Sequence, residues 1–243
     1  MQTRSGAEIV IDGDVVHKLH RPGINPRDLT VRLGVAARSD CLLSPLQPAP
    51  VRIGERWRTL WPLVEVVEPQ PDSLPWAEAG RLLARLHREP RPSRMGVHGG
   101  PQRLRRAVRT TGDPVVRRAA AGLPDAVWRA GSPGRPATLV HGDFHLGQLG
   151  RADGRWLLID VDDLGVGDPA WDLGRPAGFW AAGLIPDDDW HRFLDAYRGA
   201  DGPAVGDGDP WPVLEPFARA AVVQAAAHHP DDELLLAACA RMV

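Results

Sequence analysis

Residues 141–150 read HGDFHLGQLG and residues 157–174 read LLIDVDDLGVGDPAWDLG; the first follows the strand-like ATLV at 137–140, and the second begins inside WLLIDV at 156–161. Asp143 stands just beyond a strand, between Gly142 and Phe144, where the backbone must turn tightly. A carboxylate there can orient a hydroxyl and accept its proton, a role worth about 10²–10⁴ in rate. It can equally be an Asx-turn acid that holds its own loop. Asp160 ends an apolar run, and Asp162, Asp163, Asp168 and Asp172 follow in a turn-rich stretch. A strand that ends in an acid, across from one that ends in an acid and the amide of Gln148, makes a hard-cation site. Mg²⁺ asks for such oxygen ligands, usually one or two carboxylates with phosphates and waters.

Other polar residues of the two stretches read as support. Asp172 stands near a helix start, where a carboxylate caps backbone N–H groups. His141 and His145 have the i, i+4 spacing of a zinc pair on a helix. Gly142 and Gly147 favour a loop instead, and with it scaffolding histidines. His228 and His229, before Pro230, suit a helix C-terminus. Asp187, Asp188 and Asp189, after Pro186, suit a helix N-terminus; their second reading is a patch that attracts a cationic substrate.

Upstream, the 29 basic residues include a single lysine, Lys18. An ammonium acts as a compact point charge, suited to a phosphate pair in a tight site. It lies in AEIVIDGDVVHKLH, two β-rich runs around Asp12-Gly13, a pair suited to a two-residue hairpin turn. The period of two puts Val16, Lys18 and His20 on one face and Val15, His17 and Leu19 on the other. In INPRDLTVRLGVAAR, Asn25 can cap a helix that opens with Pro26 and carries Leu29, Leu33 and Ala36 on one stripe. PVRIG and RWRTLWPLVEVV then read as strands joined at Gly54-Glu55, before the Pro-rich EPQPDSLP, a natural hinge.

Beyond the hinge the pattern is helical. Trp76, Ala79, Leu83 and Leu86 form one stripe, and residues 101–129 split into two shorter helices near Gly112. Arg103, Arg105, Arg106 and Arg109 read as a solvated helix face rather than a nucleic-acid patch. GADGPAVGDGDP at 199–210 reads as a flexible loop.

A chain of 243 residues can bury a core as one large domain or two small lobes. Its 43% hydrophobic and 25% charged residues are those of an ordinary globular protein. The net charge of -2 leaves no basic footprint for nucleic acid, so a phosphate-bearing ligand must be gripped locally. Cys41 and Cys239 sit in no metal or redox spacing, and MQTRSGAEIV has no long apolar core, so a reducing cytoplasm is expected, with neither export nor membrane insertion. The lone lysine lies outside any Gly-Lys-Ser/Thr, which excludes a P-loop. No G-x-S-x-G elbow and no helix-opening G-x-G-x-x-G occurs.

A strand lysine, a loop aspartate and a metal-type aspartate, in that order, resemble the aminoglycoside phosphotransferase and choline kinase-like enzymes, relatives of the protein kinases. The resemblance rests on HGDFHLGQ against the family's H-G-D-x-H-x-x-N, and on LLIDVDDLGVGDPAWDLG against its I-D-x…G-D-P-x-x-D-L-A. GRLLARLH at 80–87 is similar to the helix that follows the hinge. It implies an α+β, two-lobed, protein-kinase-like fold. Residues 1–68 would form a shortened N-lobe of antiparallel sheet, one helix and hinge, and residues 69–243 a larger, mainly helical C-lobe. It also implies ATP and Mg²⁺ as cofactors, with Asp143 as catalytic base and Asp160 and Gln148 at the metal. Lys18 would sit on the α/β-phosphates from the third N-lobe strand, with Val16 packed on the base. Residues 61–68, with Pro62, Leu63, Val64 and Glu65, would be the adenine hinge, and His141, His145 and Asp172 would support the loop. Phosphoryl transfer needs this kit because it is mostly positioning and charge neutralisation around a loose transition state.

Three departures stand out. Gln148 replaces the family asparagine, as in enzymes resembling maltokinases and glucosamine kinases. The helix after Lys18 has no glutamate; Asp28 is its early acid and suits the helix dipole. The N-terminus is too short for an extra strand and glycine-rich loop, which leaves Arg4, Ser5 and Gly6 to cover the nucleotide. The expected activity is transfer of the γ-phosphoryl group of ATP to a hydroxyl of an aminoglycoside, aminosugar or sugar. Two alternatives are a non-catalytic kinase-like binding module and a metal-dependent phosphoesterase built on His141, Asp143, His145 and Asp160. No nucleic-acid or membrane partner is expected, and the sequence leaves the oligomeric state open.

Overall fold

The computed structural model describes residues 6–67 and 74–243. Arg4, Ser5, Glu68 and most of EPQPDSLP lie outside the described residues, and the expected lobe boundary falls there too. Contacts group the chain into two compact units. The first takes its described residues from Met1–Asp72, together with Pro92–Gly96 and Gly147–Asp162. The second takes them from Ser73–Arg91, Val97–Leu146 and Asp163–Val243.

In the first unit the strand, strand, helix, strand, strand order appears as β1 (Glu8–Asp12), β2 (Val15–Leu19), α1 (Pro26–Ala36), β3 (Val51–Ile53) and β4 (Arg56–Pro62). The strands form an antiparallel sheet in the order β1-β2-β4-β3. Because Asp12 pairs with Val15, the hairpin loop is Gly13-Asp14, one residue later than expected, and Gly13 takes φ 56°. Asn25 caps α1, its side chain accepting from Arg27 N at 3.0 Å, and Leu29, Leu33 and Ala36 are buried. Pairing of Val16 with Trp61 and of Lys18 with Thr59 puts these four on one face of the sheet.

A second sheet of this unit runs β5 (Glu65–Val66), β7 (Leu149–Ala152), β8 (Arg155–Leu158), the sixth strand belonging to the other unit. β7 escapes a sequence reading because LGRA has no alternation to show. The turn expected at ADGR closes its hairpin with β8, with Asp153 at φ 50° and Gly154 at φ 74°. β8 stops at Leu158, earlier than WLLIDV suggests. Leu158 is tied on both sides to the segment after α1, donating to Cys41 O at 2.8 Å and accepting from Leu43 N at 2.8 Å.

The second unit holds α2 (Trp76–Arg88), α3 (Gly100–Thr110), α4 (Pro114–Ala121), β6 (Thr138–Val140), β9 (Gly165–Gly167), α5 (Ala170–Ala181), α6 (Asp187–Gly199), α7 (Trp211–His228) and α8 (Glu233–Ala240). β6 and β9 pair antiparallel. The α2 stripe is buried at Trp76, Ala79, Leu83 and Leu86; each such large apolar side chain stabilises by about 1.5–3 kcal/mol. α2 meets α6 at Gly80, where a Cβ would lie 2.3 Å from Phe193 O. α5 meets α7 at Gly178, where it would lie 2.5 Å from Ala218 O. The break near Gly112 is made by Asp113, which caps α4 by accepting from Val115 N and Val116 N. The 199–210 segment is anchored rather than loose. Ala204 is buried and donates its N–H to Tyr197 Oη at 3.0 Å, and Gly202 packs on the Tyr197 ring. Among the described residues no helix is long and apolar enough to cross a membrane.

Candidate active site

Lys18 is buried on β2, the second strand of its sheet among the described residues, and its ammonium lies between two carboxylates. Nζ is 2.7 Å from Asp160 Oδ1 and 3.0 Å from Asp162 Oδ2. Burial alone would push the ammonium's pKa down, and the two carboxylates overcome this and hold it above the usual lysine range. Asp162 feels the same balance in reverse: burial pushes its carboxyl up, and Lys18 and His20 hold it below the usual carboxylate range.

Asp160 has φ 62°, a left-handed backbone rare for a residue with a Cβ and costing about 1 kcal/mol or more. That turn is what brings its side chain round to Lys18. Gln148 ends a 3-10 turn, and its carbonyl accepts from Ile159 N at 2.8 Å, so its side chain starts beside the residue that precedes Asp160. Gln148 is a buried residue. A carboxylate whose Oδ1 alone takes Lys18, together with an amide oxygen, fits a hard cation that also takes phosphate and water. Among the described residues no three His, Cys, Asp or Glu side chains group to hold a metal on their own.

Val16 shares the Lys18 face. Pro62, Leu63, Val64 and Glu65 line a cavity of about 780 Å³ with Leu43, Ser44, Arg151, Asp153, Gly154 and Leu157, to which Val16 and Lys18 do not contribute. Leu63 N donates to Asp14 O, whereas Val64 N–H has no partner among the described residues.

Asp143 belongs to the second unit, just past β6. Gly142 has φ 83°, and a Cβ there would sit 2.5 Å from Asp163 O, so only glycine allows the turn that presents Asp143. Asp172, expected as a cap of its own helix, makes no such bond in α5. Its carboxylate instead accepts from His141 N at 2.7 Å, Gly142 N at 2.9 Å and His87 Nε2 at 3.0 Å. Since Asp172 only accepts, His87 carries its proton on Nε2, and Nδ1 accepts from Tyr197 O–H at 2.7 Å. The α2 histidine thereby braces the loop that carries Asp143. His141 is fully buried. Burial, followed by Arg175, His141 and Arg103, pushes His145 down to about 3, which keeps it neutral.

Arg103 departs from the solvated face expected for it. One arm meets Asp143 Oδ2 at 2.7 Å and the other Asp163 Oδ2 at 3.0 Å, while Arg175 stands 3.8 Å from Asp143 Oδ1. Burial pushes Asp143 up to about 6 in spite of these two cations. Arg103 escapes a sequence reading because its partners are distant in the chain; its place beside buried Leu104, at the edge of the α3 stripe, is the available signal. Asp162 and His20 escape it too, although His20 shares the Lys18 face in the alternation.

The sequence model of the phosphotransferase enzyme family matches residues 22–235. The choline kinase of Streptococcus pneumoniae is similar in structure with a TM-score of 0.64, at 13% identity over 100% of this chain and 90% of its own. A choline/ethanolamine kinase family protein from Mesorhizobium loti has a TM-score of 0.60, at 16% identity over 99% and 86%. A spectinomycin phosphotransferase solved with ADP and spectinomycin gives 0.59, at 14% identity over 96% and 83%. No curated protein sequence matches the chain. The structural likenesses agree in a kinase-like α+β fold, and with a family match over most of its length the chain belongs to the phosphotransferase enzyme family.

Proposed function

We propose that this protein transfers the γ-phosphoryl group of ATP to a hydroxyl of a small polar acceptor, a sugar or aminosugar ahead of an aminoglycoside. The observation that carries the reading is the meeting of the chain's one lysine with Asp160, 142 residues away. Lys18 would neutralise the α/β-phosphates, Val16 would pack on the base, and Val64 N–H in the hinge would donate to its edge. Asp160 and Gln148 would hold Mg²⁺, which when bound supplies charge neutralisation at the transferring group. Asp143 would orient the acceptor hydroxyl and take its proton as the new O–P bond forms and ADP leaves with the old one. The likeness to a spectinomycin phosphotransferase solved with ADP supports the nucleotide side of this reading. We place the reaction in the cytoplasm, with neither nucleic acid nor membrane as partner.

The acceptor preference rests on charge. Several acids that could attract a cationic acceptor are engaged: Asp187 with Trp180, Asp189 with Arg192, Asp201 with Arg88. The carboxylates of Asp143 and Asp163 are already matched by Arg103 and Arg175. A site balanced in this way suits a neutral, hydroxyl-rich molecule better than a polycation.

A screen of sugars, aminosugars and aminoglycosides with Mg·ATP, reading nucleotide consumption and product mass, tests the reading. Transfer is expected for at least one neutral or singly charged acceptor. Asp143→Ala should abolish it and leave calorimetric nucleotide binding nearly unchanged, and undiminished turnover would sink the role of Asp143. Wild-type protein that binds no Mg·ATP would point instead to a non-catalytic module.

A further inference from the structure

We propose that Asp162, backed by His20, is the acid that positions Lys18 for the nucleotide phosphates. The inference rests on the phosphotransferase reading for its consequence and on geometry alone for its contact. α1 offers Lys18 no carboxylate, since Asp28, its acid, is exposed in the first turn. A buried ammonium without a fixed anionic partner is costly and poorly placed. Of its two carboxylates, Asp160 is the more exposed, 36% against 24%, and is the one with an oxygen to give to a cation. Both oxygens of Asp162 face side chains of the protein. Oδ2 faces Lys18 at 3.0 Å, and Oδ1 faces His20 Nδ1 at 3.3 Å.

The residues behind Asp162 are themselves hydrogen-bonded. The Trp61 indole can only donate, and it donates to Thr59 Oγ1 at 2.9 Å. The Thr59 hydroxyl lies 2.9 Å from His20 Nε2. The Thr59 hydroxyl and His20 Nε2 share one hydrogen bond, and Nδ1 on the other side of the ring faces the Asp162 carboxylate at 3.3 Å without a hydrogen bond to it. Thr59 and His20 are almost wholly buried and Trp61 nearly so. Trp61, Thr59 and His20 are hydrogen-bonded in series, and the His20 ring then lies against Asp162, which meets the ammonium. Lys18 keeps an anchor whatever Asp160 does. Asp162 is a positioning residue and touches no substrate.

The single lysine provides a readout that needs no turnover. Labelling of Lys18 Nζ by an amine-reactive acylating reagent, followed by peptide mass spectrometry, should be about tenfold faster in Asp162→Asn, the worth of one charge-assisted hydrogen bond. His20→Gln should move it in the same direction by less. In steady state Asp162→Asn should lower kcat/KM for ATP by about tenfold to a hundredfold, as misplacement of a phosphate-binding group does. The half-saturating Mg²⁺ should not move, and Asp162→Glu should recover part of the loss. Thermal melting of each variant identifies any that fails to fold, and Asp162→Glu then carries the test. Unchanged Lys18 labelling in folded Asp162→Asn overturns the proposal, as does a raised Mg²⁺ requirement as the main effect, which would make Asp162 a metal ligand. If wild-type protein phosphorylates no acceptor, the labelling result still decides the contact, and the phosphotransferase reading fails separately.

Discussion

A carboxyl that must accept a proton works only when ionised, and burial pushes Asp143 up to about 6 against the pull of Arg103 and Arg175. The rate of phosphoryl transfer should therefore rise with pH through about 6 and level off above it. Arg103→Met keeps much of the side chain's bulk and removes the nearer cation, so the acid limb should move up by about one pH unit. The pH profile of kcat/KM for the acceptor measures this, and a limb that stays where it was would show that Arg103 does not act on Asp143. Asp143, Lys18 and Asp160 can be read from the sequence because local facts single them out: a glycine-flanked turn after a strand, the one lysine, an acid closing an apolar run. Arg103 cannot, because an ion pair across 40 residues leaves no trace in helical periodicity. Asp172 is legible for the wrong reason. Its place at a helix start suggests a cap, whereas the carboxylate reaches back to the loop before Asp143.

The elements are legible wherever periodicity or a cap exists. α1 carries both, and α2 carries a stripe that the fold buries residue for residue. β7 and β9 are short and glycine-bearing, and only their pairing makes them strands, so no local pattern announces them. What no pattern contains is which helix lies against which, and Gly80 shows the cost of that information. A methyl on Gly80 would meet Phe193 O at 2.3 Å and Tyr197 N at 3.0 Å, both backbone atoms that move only if α6 moves. Gly199, the last residue of α6, has nothing within 4 Å of the same position. Gly80→Ala should therefore lower stability by about 3 kcal/mol. Gly199→Ala should leave it unchanged or raise it by up to about 1 kcal/mol through helix propensity. Urea unfolding of the two variants makes the comparison, and equal effects would mean that α2 and α6 are not in close contact.

At the scale of the whole molecule the buried histidines set the response to acid. His98 accepts from Gly100 N on Nδ1 and lies 3.2 Å from Ala130 O through Nε2, so the neutral ring with its proton on Nε2 satisfies both neighbours. Burial pushes it down to about 4, and burial pushes His145 down to about 3, from an ordinary value of 6.5. Between pH 6.5 and 4 the unfolded chain therefore takes up protons that the folded chain refuses. The stability these rings contribute is complete above 6.5 and is lost as pH falls through that window. Asp143 works in the opposite sense. Its folded pKa is raised from 3.8 to about 6, so its contribution is present below 3.8 and is lost as pH rises through about 6. Two histidines with shifts as large as or larger than that of one aspartate dominate, and the melting temperature should fall steadily as the pH is lowered from about 7 to about 4.5. His98→Gln offers an amide that can accept from Gly100 N and donate to Ala130 O without titrating. In that variant His145 is left nearly offset by Asp143, so most of the fall should disappear. A fall of undiminished size in His98→Gln would place the acid sensitivity outside His98.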